Sequence, residues 1–188
     1  AIGVTCFLGI NAAEPDMKDT ARKYFKTNNL YDIKVTTPIS LTEDDLNEIS
    51  NIKGISNVMT SKTVDGILKI NDKSITDIDG SELSCRVMSL DLKDAQNFTD
   101  GKEKNDNYLN KVDLIEGRMP KTPTECVVDS SKLSAPDEFK VGQTIKIDSN
   151  YGLIEDRLQN TEFKITGKIR TPLYLSFERG RTQVGSGK

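Results

Sequence analysis

The chain has 188 residues, 35 % of them apolar, enough for one domain or two small ones. Its 26 basic and 29 acidic side chains nearly cancel to a formal charge of -3, which excludes the global positive field that gathers nucleic acids. Histidine is absent, removing at once the commonest general base, the commonest zinc ligand and the usual near-neutral proton switch. Any catalysis would fall to carboxylates, lysine or cysteine. The three cysteines, Cys6, Cys85 and Cys126, are odd in number and far apart, and each lies in an apolar run. That spacing argues against a disulfide framework or a Cys-x-x-Cys metal site and for small buried hydrophobes.

The first ten residues, Ala1 to Ile10, carry no charge. Ten residues are about half of what a bilayer span needs. Three readings stay open: a signal-peptide remnant, a buried strand or helix, or the outer end of a transmembrane helix, of which the last suits the uncharged, glycine-bearing run best. From Pro15, Met17, Ala21, Tyr24 and Phe25 recur at helical spacing among Lys18, Arg22, Lys23 and Lys26, predicting an amphipathic helix to about Asn28. Tyr31 to Thr37 alternates with β-favouring residues and stops at Pro38, predicting an edge strand. Ser40 and Glu43 have capping-box spacing before a short helix over 42–51, with Leu46 and Ile49 inward and Gly54 closing its far end. Ile55 to Lys62 and Val64 to Ile70 read as strands, the second turning at Asn71-Asp72-Lys73, so that strand, helix, strand and hairpin compose a small α/β unit.

Beyond Asp77-Ile78-Asp79-Gly80 the helical period vanishes. Leu83, Cys85 and Val87 alternate as one face of a strand, and Asn97 to Asn110 has few core-forming residues and reads as a surface loop. Three further β-like runs, Glu125–Asp129, Thr144–Asp148 and Glu162–Ile169, predict a small β-subdomain. The tail from Val184 to Lys188 ends without a terminating element, as expected of a fragment whose parent chain continues.

Few candidate sites survive inspection. Gly180 to Lys188 resembles a phosphate-binding loop but fails its register, since Ser186 stands where the lysine is needed and Thr182 where the first glycine is needed. Acidic clusters at Asp16/Asp19, Glu43/Asp44/Asp45 and Asp72/Asp77/Asp79 lack the order of a calcium loop and are explained by helix starts and turns. Ser130-Ser131-Lys132 holds the residues of a Ser–Lys pair without its spacing, and Asn97-Phe98-Thr99 matches a glycosylation sequon that matters only in a eukaryotic secretory setting. No catalytic residue, metal ligand or cofactor is expected.

Four stretches together resemble the extracytoplasmic domain that follows the first transmembrane helix of FtsX/MacB-type ABC transporter permeases. The first is Ile2-Gly3-Val4 through Gly9-Ile10, leading into Asp16-Met17 and Tyr24-Phe25…Asn29-Leu30; the second is Tyr31 to Val35, then Leu41 to Asp45 and Ile49…Gly54-Ile55…Val58. The third, Leu114-Ile115-Glu116-Gly117-Arg118-Met119-Pro120 followed by Glu125 to Asp129, is similar to the family's Gly-Arg-x-Pro…Asn-Glu segment, with Thr124 where Asn is frequent. The fourth pairs Val141-Gly142-Gln143-Thr144-Ile145-Lys146-Ile147 with Phe163 to Ile169, departing from the family pattern at Gln143 and Lys168.

The resemblance implies an α+β fold: a porter-like α/β lobe with an inserted β-rich, sabre-like lobe. Its divisions would be the end of transmembrane helix 1 at residues 1–10, a stalk helix and porter-like lobe at 11–75, the β-rich lobe at 76–180, and a flexible tail at 181–188. It implies structural roles for Gly117, Arg118, Glu125, Gly142 and Gly167, and no catalytic, cofactor or metal residues. The implied function is non-catalytic: an extracytoplasmic, membrane-anchored domain that transmits the motion of a cytoplasmic ATPase subunit or engages an extracytoplasmic protein partner or exported substrate. The stalk helix and the Asp94–Asn110 loop would be the contact surfaces. Rival readings are an extracellular peptide- or lipid-binding module, which needs an apolar cleft, and a secreted enzyme working through carboxylates.

Overall fold

The computed structural model describes residues 2–76, 80, 82–92, 108–130, 139–148, 154 and 157–174. Among these, two helices precede seven strands: α1 (Ile2–Thr27), α2 (Glu43–Ser50), β1 (Thr63–Ile70), β2 (Lys73–Ser74), β3 (Ser84–Met88), β4 (Asp113–Gly117), β5 (Glu125–Asp129), β6 (Thr144–Asp148) and β7 (Glu162–Arg170). The chain divides into two compact units, one of residues 1–58 with 107–111 and one of residues 59–106 with 112–188.

In the first unit, α1 runs without interruption from the uncharged opening run into the charged segment, carrying Pro15 inside it. The ion pairs Lys18–Glu14 (2.5 Å) and Arg22–Asp19 (3.2 Å) lace its exposed surface at helical spacing. Its expected apolar stripe is only partly covered: Ala21, Tyr24 and Phe25 are half-buried, whereas Met17 is exposed. After the helix comes Asn29, whose φ of 47° lies in the left-handed region, and the 108–111 segment docks there. The amides of Asn110 and Lys111 donate to the carbonyls of Asn29 and Asn28 at 2.9 and 2.8 Å, and Asn29 Nδ2 donates to the Tyr108 carbonyl at 2.9 Å. Helix α2 starts at a reciprocal cap, but not the expected Ser40/Glu43 one. Thr42 Oγ1 accepts from the Asp45 amide at 3.2 Å while Asp45 Oδ2 accepts from the Thr42 amide at 2.8 Å. No residue of α2 is buried, Leu46 and Ile49 being half-covered. No helix among the described residues is long and apolar enough to cross a membrane.

The second unit is one seven-stranded, mainly antiparallel sheet in which β2, β1, β6, β7 and β4 follow one another, with β3 also on β1 and β5 on β7. β1 and β2 form a two-residue hairpin whose Asn71 and Asp72 both have positive φ, 52° and 59°, the backbone that matches the right-handed twist of the flanking strands. Among the described strands β5 is the single parallel neighbour, running along β7 with a register shift between Cys126 and Val127. Period-2 alternation places Val64, Leu68 and Ile70 of β1, Cys85 and Val87 of β3, Cys126 and Val128 of β5, Ile145 and Ile147 of β6, and Phe163 and Ile165 of β7 in a single apolar cluster. Ile75, Phe139, Ile154 and Leu158 close it from the connecting segments. Ile165 is fully buried, and burying a side chain of this size contributes about 1.5–3 kcal/mol. The opposite face holds buried Ile67 and is crossed by ion pairs, among them Arg86–Asp65 on β3 and β1, Lys69–Asp148 on β1 and β6, and Lys168–Glu116 on β7 and β4.

This architecture overturns the expected α+β fold with a porter-like α/β lobe and an inserted β-rich lobe: the molecule is sheet-rich. Tyr31 to Thr37 and Ile55 to Lys62 join no strand ladder, and Val64 to Ile70, expected within the α/β unit, lies instead in β1, the strand on which β2, β3 and β6 converge. Alternating β-branched residues give a segment strand propensity, but a strand exists only where a neighbour completes its backbone hydrogen bonds. Asp77 and Asp79, the sequon at Asn97, Ser131-Lys132 and the Gly180–Lys188 tail lie outside the described residues.

Candidate functional site

The five residues singled out in the sequence all meet the backbone of β7 between Lys164 and Gly167. β4 runs antiparallel to β7 with Gly117 opposite Gly167, and at Gly117 the chain turns away with φ of 77°. A Cβ on Gly117 would collide with the Thr166 carbonyl oxygen. One on Gly167 would stand 2.5 Å from the Arg118 carbonyl oxygen and 2.9 Å from that of Glu116. The chain therefore crosses β7 at a distance only glycine permits, fastened there by the Arg118 amide donating to the Thr166 carbonyl at 2.9 Å.

From this crossing Arg118 reaches the first residue of β5. Its Nη1 and Nη2 donate to Glu125 Oε2 and Oε1 at 2.9 and 2.5 Å, and Nη1 also donates to the Met119 carbonyl at 3.0 Å. Glu125 Oε2 accepts in addition from the Lys121 amide at 2.8 Å, which closes the 118–125 loop over buried Met119 and Pro120. The Lys164 amide then donates to the Thr124 carbonyl at 2.9 Å and ties the loop to β7. The Glu125 side chain is 15 % exposed. The Arg118 fork and the Lys121 amide hold its carboxyl down at about 2, so it stays ionised and is not placed to exchange protons near neutrality. Arg118, in turn, is raised by the same pairing. With both charges spent on each other, the pair works as a clasp.

Gly142 approaches from the other side. It occupies the third position of the Lys140–Gln143 turn with φ of 95°, where a type II turn requires glycine, and its amide donates to the Ile165 carbonyl at 2.7 Å. Gln143 Oε1 accepts from the Lys140 amide at 3.0 Å and the Ile165 amide returns a bond to the Gln143 carbonyl at 2.8 Å. The departure from the resembled pattern at Gln143 thus keeps a side-chain oxygen able to close the turn. At Lys168 the departure adds an ion pair to Glu116 at 3.0 Å.

The acidic clusters find local partners. Asp19 holds Arg22, Asp45 caps α2 and is lowered by its bonds to Thr42, and Asp72 faces Lys146 at 3.7 Å. No group of His, Cys, Asp or Glu among the described residues is arranged to hold a metal ion. Burial pushes the Cys85 and Cys126 thiols up to about 12, so neither is a thiolate at neutral pH. A hollow of about 280 Å³ beside the β1–β2 hairpin is lined by Ile70, Lys73, Ser74, Ile75, Thr76 and Gln143. Sequence reasoning missed this hollow, the convergence of the glycines on one strand, and the Asp65–Arg86 fork at 2.7 and 2.9 Å. Only the last had a signal, a β1 acid and a β3 base in strands of opposite direction.

Comparison with protein-family models, with curated proteins and with solved structures gave no match.

Proposed function

We propose that the chain is a non-catalytic, extracytoplasmic domain of a membrane permease of the FtsX/MacB type, which transmits the motion of a cytoplasmic ATPase subunit or engages envelope partners and exported substrate. The observation that carries this reading is the meeting of Gly117, Arg118, Glu125, Gly142 and Gly167 around residues 164–167 of β7. Motif residues that resemble a family's pattern would be scattered at indifferent positions if the resemblance were accidental; here each has a steric or hydrogen-bonding reason to be the residue it is. The continuous helix α1, uncharged in its first third and ion-paired beyond, is the shape expected of a stalk rising from a membrane. The glycine crossing and the Arg118–Glu125 clasp tie β4 and β5 to β7, an arrangement suited to relaying displacement.

The test is protease accessibility of the parent protein in intact cells and in inverted vesicles. Cleavage within residues 11–188 only from the outer side, with the fragment still membrane-tethered, is the expected result. Release of the segment as a free protein, or its protection inside the cell, would sink the reading.

A further inference from the structure

The segment after α1 has the alternation of a strand without a strand partner among the described residues. Following a bend at Asp32 the chain runs from Ile33 to Thr37 in no ladder, with Ile33 and Val35 exposed by 73 % and 71 %. Asp32 and Lys34 are exposed and enter no ion pair among the described residues. Strands of this kind, apolar on one face with free backbone groups at the edge, template pairing with another chain.

We infer that this segment pairs antiparallel with the same segment of a second copy of the chain, centred on Ile33. The charge order selects both the partner and the register. Centred on Ile33, Asp32 of each copy faces Lys34 of the other, giving two reciprocal opposite-charge pairs, and Tyr31 faces Val35, an aromatic against a β-branched side chain; both pairings favour antiparallel strands. Centred on Lys34, the two lysines would oppose each other. Centred on Val35, Asp32 would face Pro38, which has no amide to offer.

The occupied Tyr31 donor favours the first register, in which Asp32, where the chain bends, straightens to pair. The Tyr31 amide is already taken, donating to Asn110 Oδ1 at 3.2 Å. A ladder hydrogen-bonded at residues 31, 33 and 35 would need that donor, whereas one hydrogen-bonded between Asp32 and Lys34 does not. Ile33 and its copy then form the non-hydrogen-bonded pair on the axis, the position where opposing side chains approach most closely. So short a ladder makes a weak, concentration-dependent dimer.

Sedimentation equilibrium on the 188-residue chain, together with Asp32→Lys and Lys34→Asp variants, tests it. The native chain is expected to self-associate as concentration rises towards about 1 mM. Each variant alone is expected to stay monomeric, because like charges then face each other twice. An equimolar mixture of the two variants is expected to associate again, since one copy then carries lysine at both positions and the other aspartate at both, and every facing pair is of opposite charge. A native chain that is monomeric throughout, self-association unaffected by either reversal, or a mixture that stays monomeric would each overturn the inference.

Discussion

At Gly167 the missing Cβ lets the Arg118 and Glu116 carbonyls pass over β7, and at Gly117 the same economy is joined to a positive φ. Their substitution costs therefore differ from that of Gly142, which shares the positive φ but has open space around it. Gly142→Ala is expected to lower unfolding free energy by about 1–2 kcal/mol, the strain of a left-handed backbone alone. Gly117→Ala adds overpacking of about 1–3 kcal/mol to that strain, and Gly167→Ala brings the overpacking without it. Urea midpoints of the three variants give the order, and a Gly142→Ala cost equal to that of Gly117→Ala would refute the crossing as the reason for glycine. Glu125 sets a pH dependence on the same body. Its folded pKa is depressed to about 2, so its contribution is whole above the ordinary glutamate value and is lost as pH falls from about 4.5 through 2. Glu125→Gln is expected to be less stable at pH 6 and to show a flatter loss of stability over that acid window, read from denaturation midpoints across pH.

At the scale of elements, β5, β6 and β7 could be read from sequence because each alternates apolar and polar residues over a half-buried surface: Cys126 and Val128, Ile145 and Ile147, Phe163 and Ile165 face one cluster. β4 could not. Leu114 and Ile115 are adjacent, and the register shift between Leu114 and Glu116 breaks the period that would have announced a strand. Tyr31 to Thr37 has the opposite history, since its alternation is plain while its partner is not among the described elements. Pattern records what a segment can do; pairing is a property of two segments. The cap of α2 shows the same limit, as Thr42/Asp45 and Ser40/Glu43 have the same spacing and only the first closes. Thr42→Ala is expected to weaken α2 by about 1 kcal/mol, seen as loss of helical Cα chemical shifts across 43–50. Because the Asp45 pKa is lowered by its bonds to Thr42, the cap is intact above the ordinary aspartate range, and α2 of the native chain frays as pH drops below it.

Among the described residues the buried apolar side chains are unevenly shared. Ile67, Leu68, Ile75, Met119, Phe139, Ile145, Ile147, Ile154 and Ile165 belong to the sheet unit, whereas the first unit buries Tyr108 and leaves Ile33, Val35, Ile39 and Ile52 exposed. Amide exchange should follow that division. Amides of β1 and β7, held in ladders over the core, exchange only on global opening, while those of α2, with no buried residue, exchange through local fraying that involves far less surface. Gly167→Ala should therefore speed exchange of β7 amides and leave α2 amides unchanged, measured by hydrogen–deuterium exchange with peptide resolution. If α2 amides in the native chain were as slow as those of β7, its Leu46–Ile49 face would have to be covered by something beyond the described residues. The self-paired strand supplies a second contrast in the same experiment: raising protein concentration should slow exchange at Asp32 and Lys34 while α2 and β7 keep their rates. A uniform slowing would place the contact between copies elsewhere on the molecule.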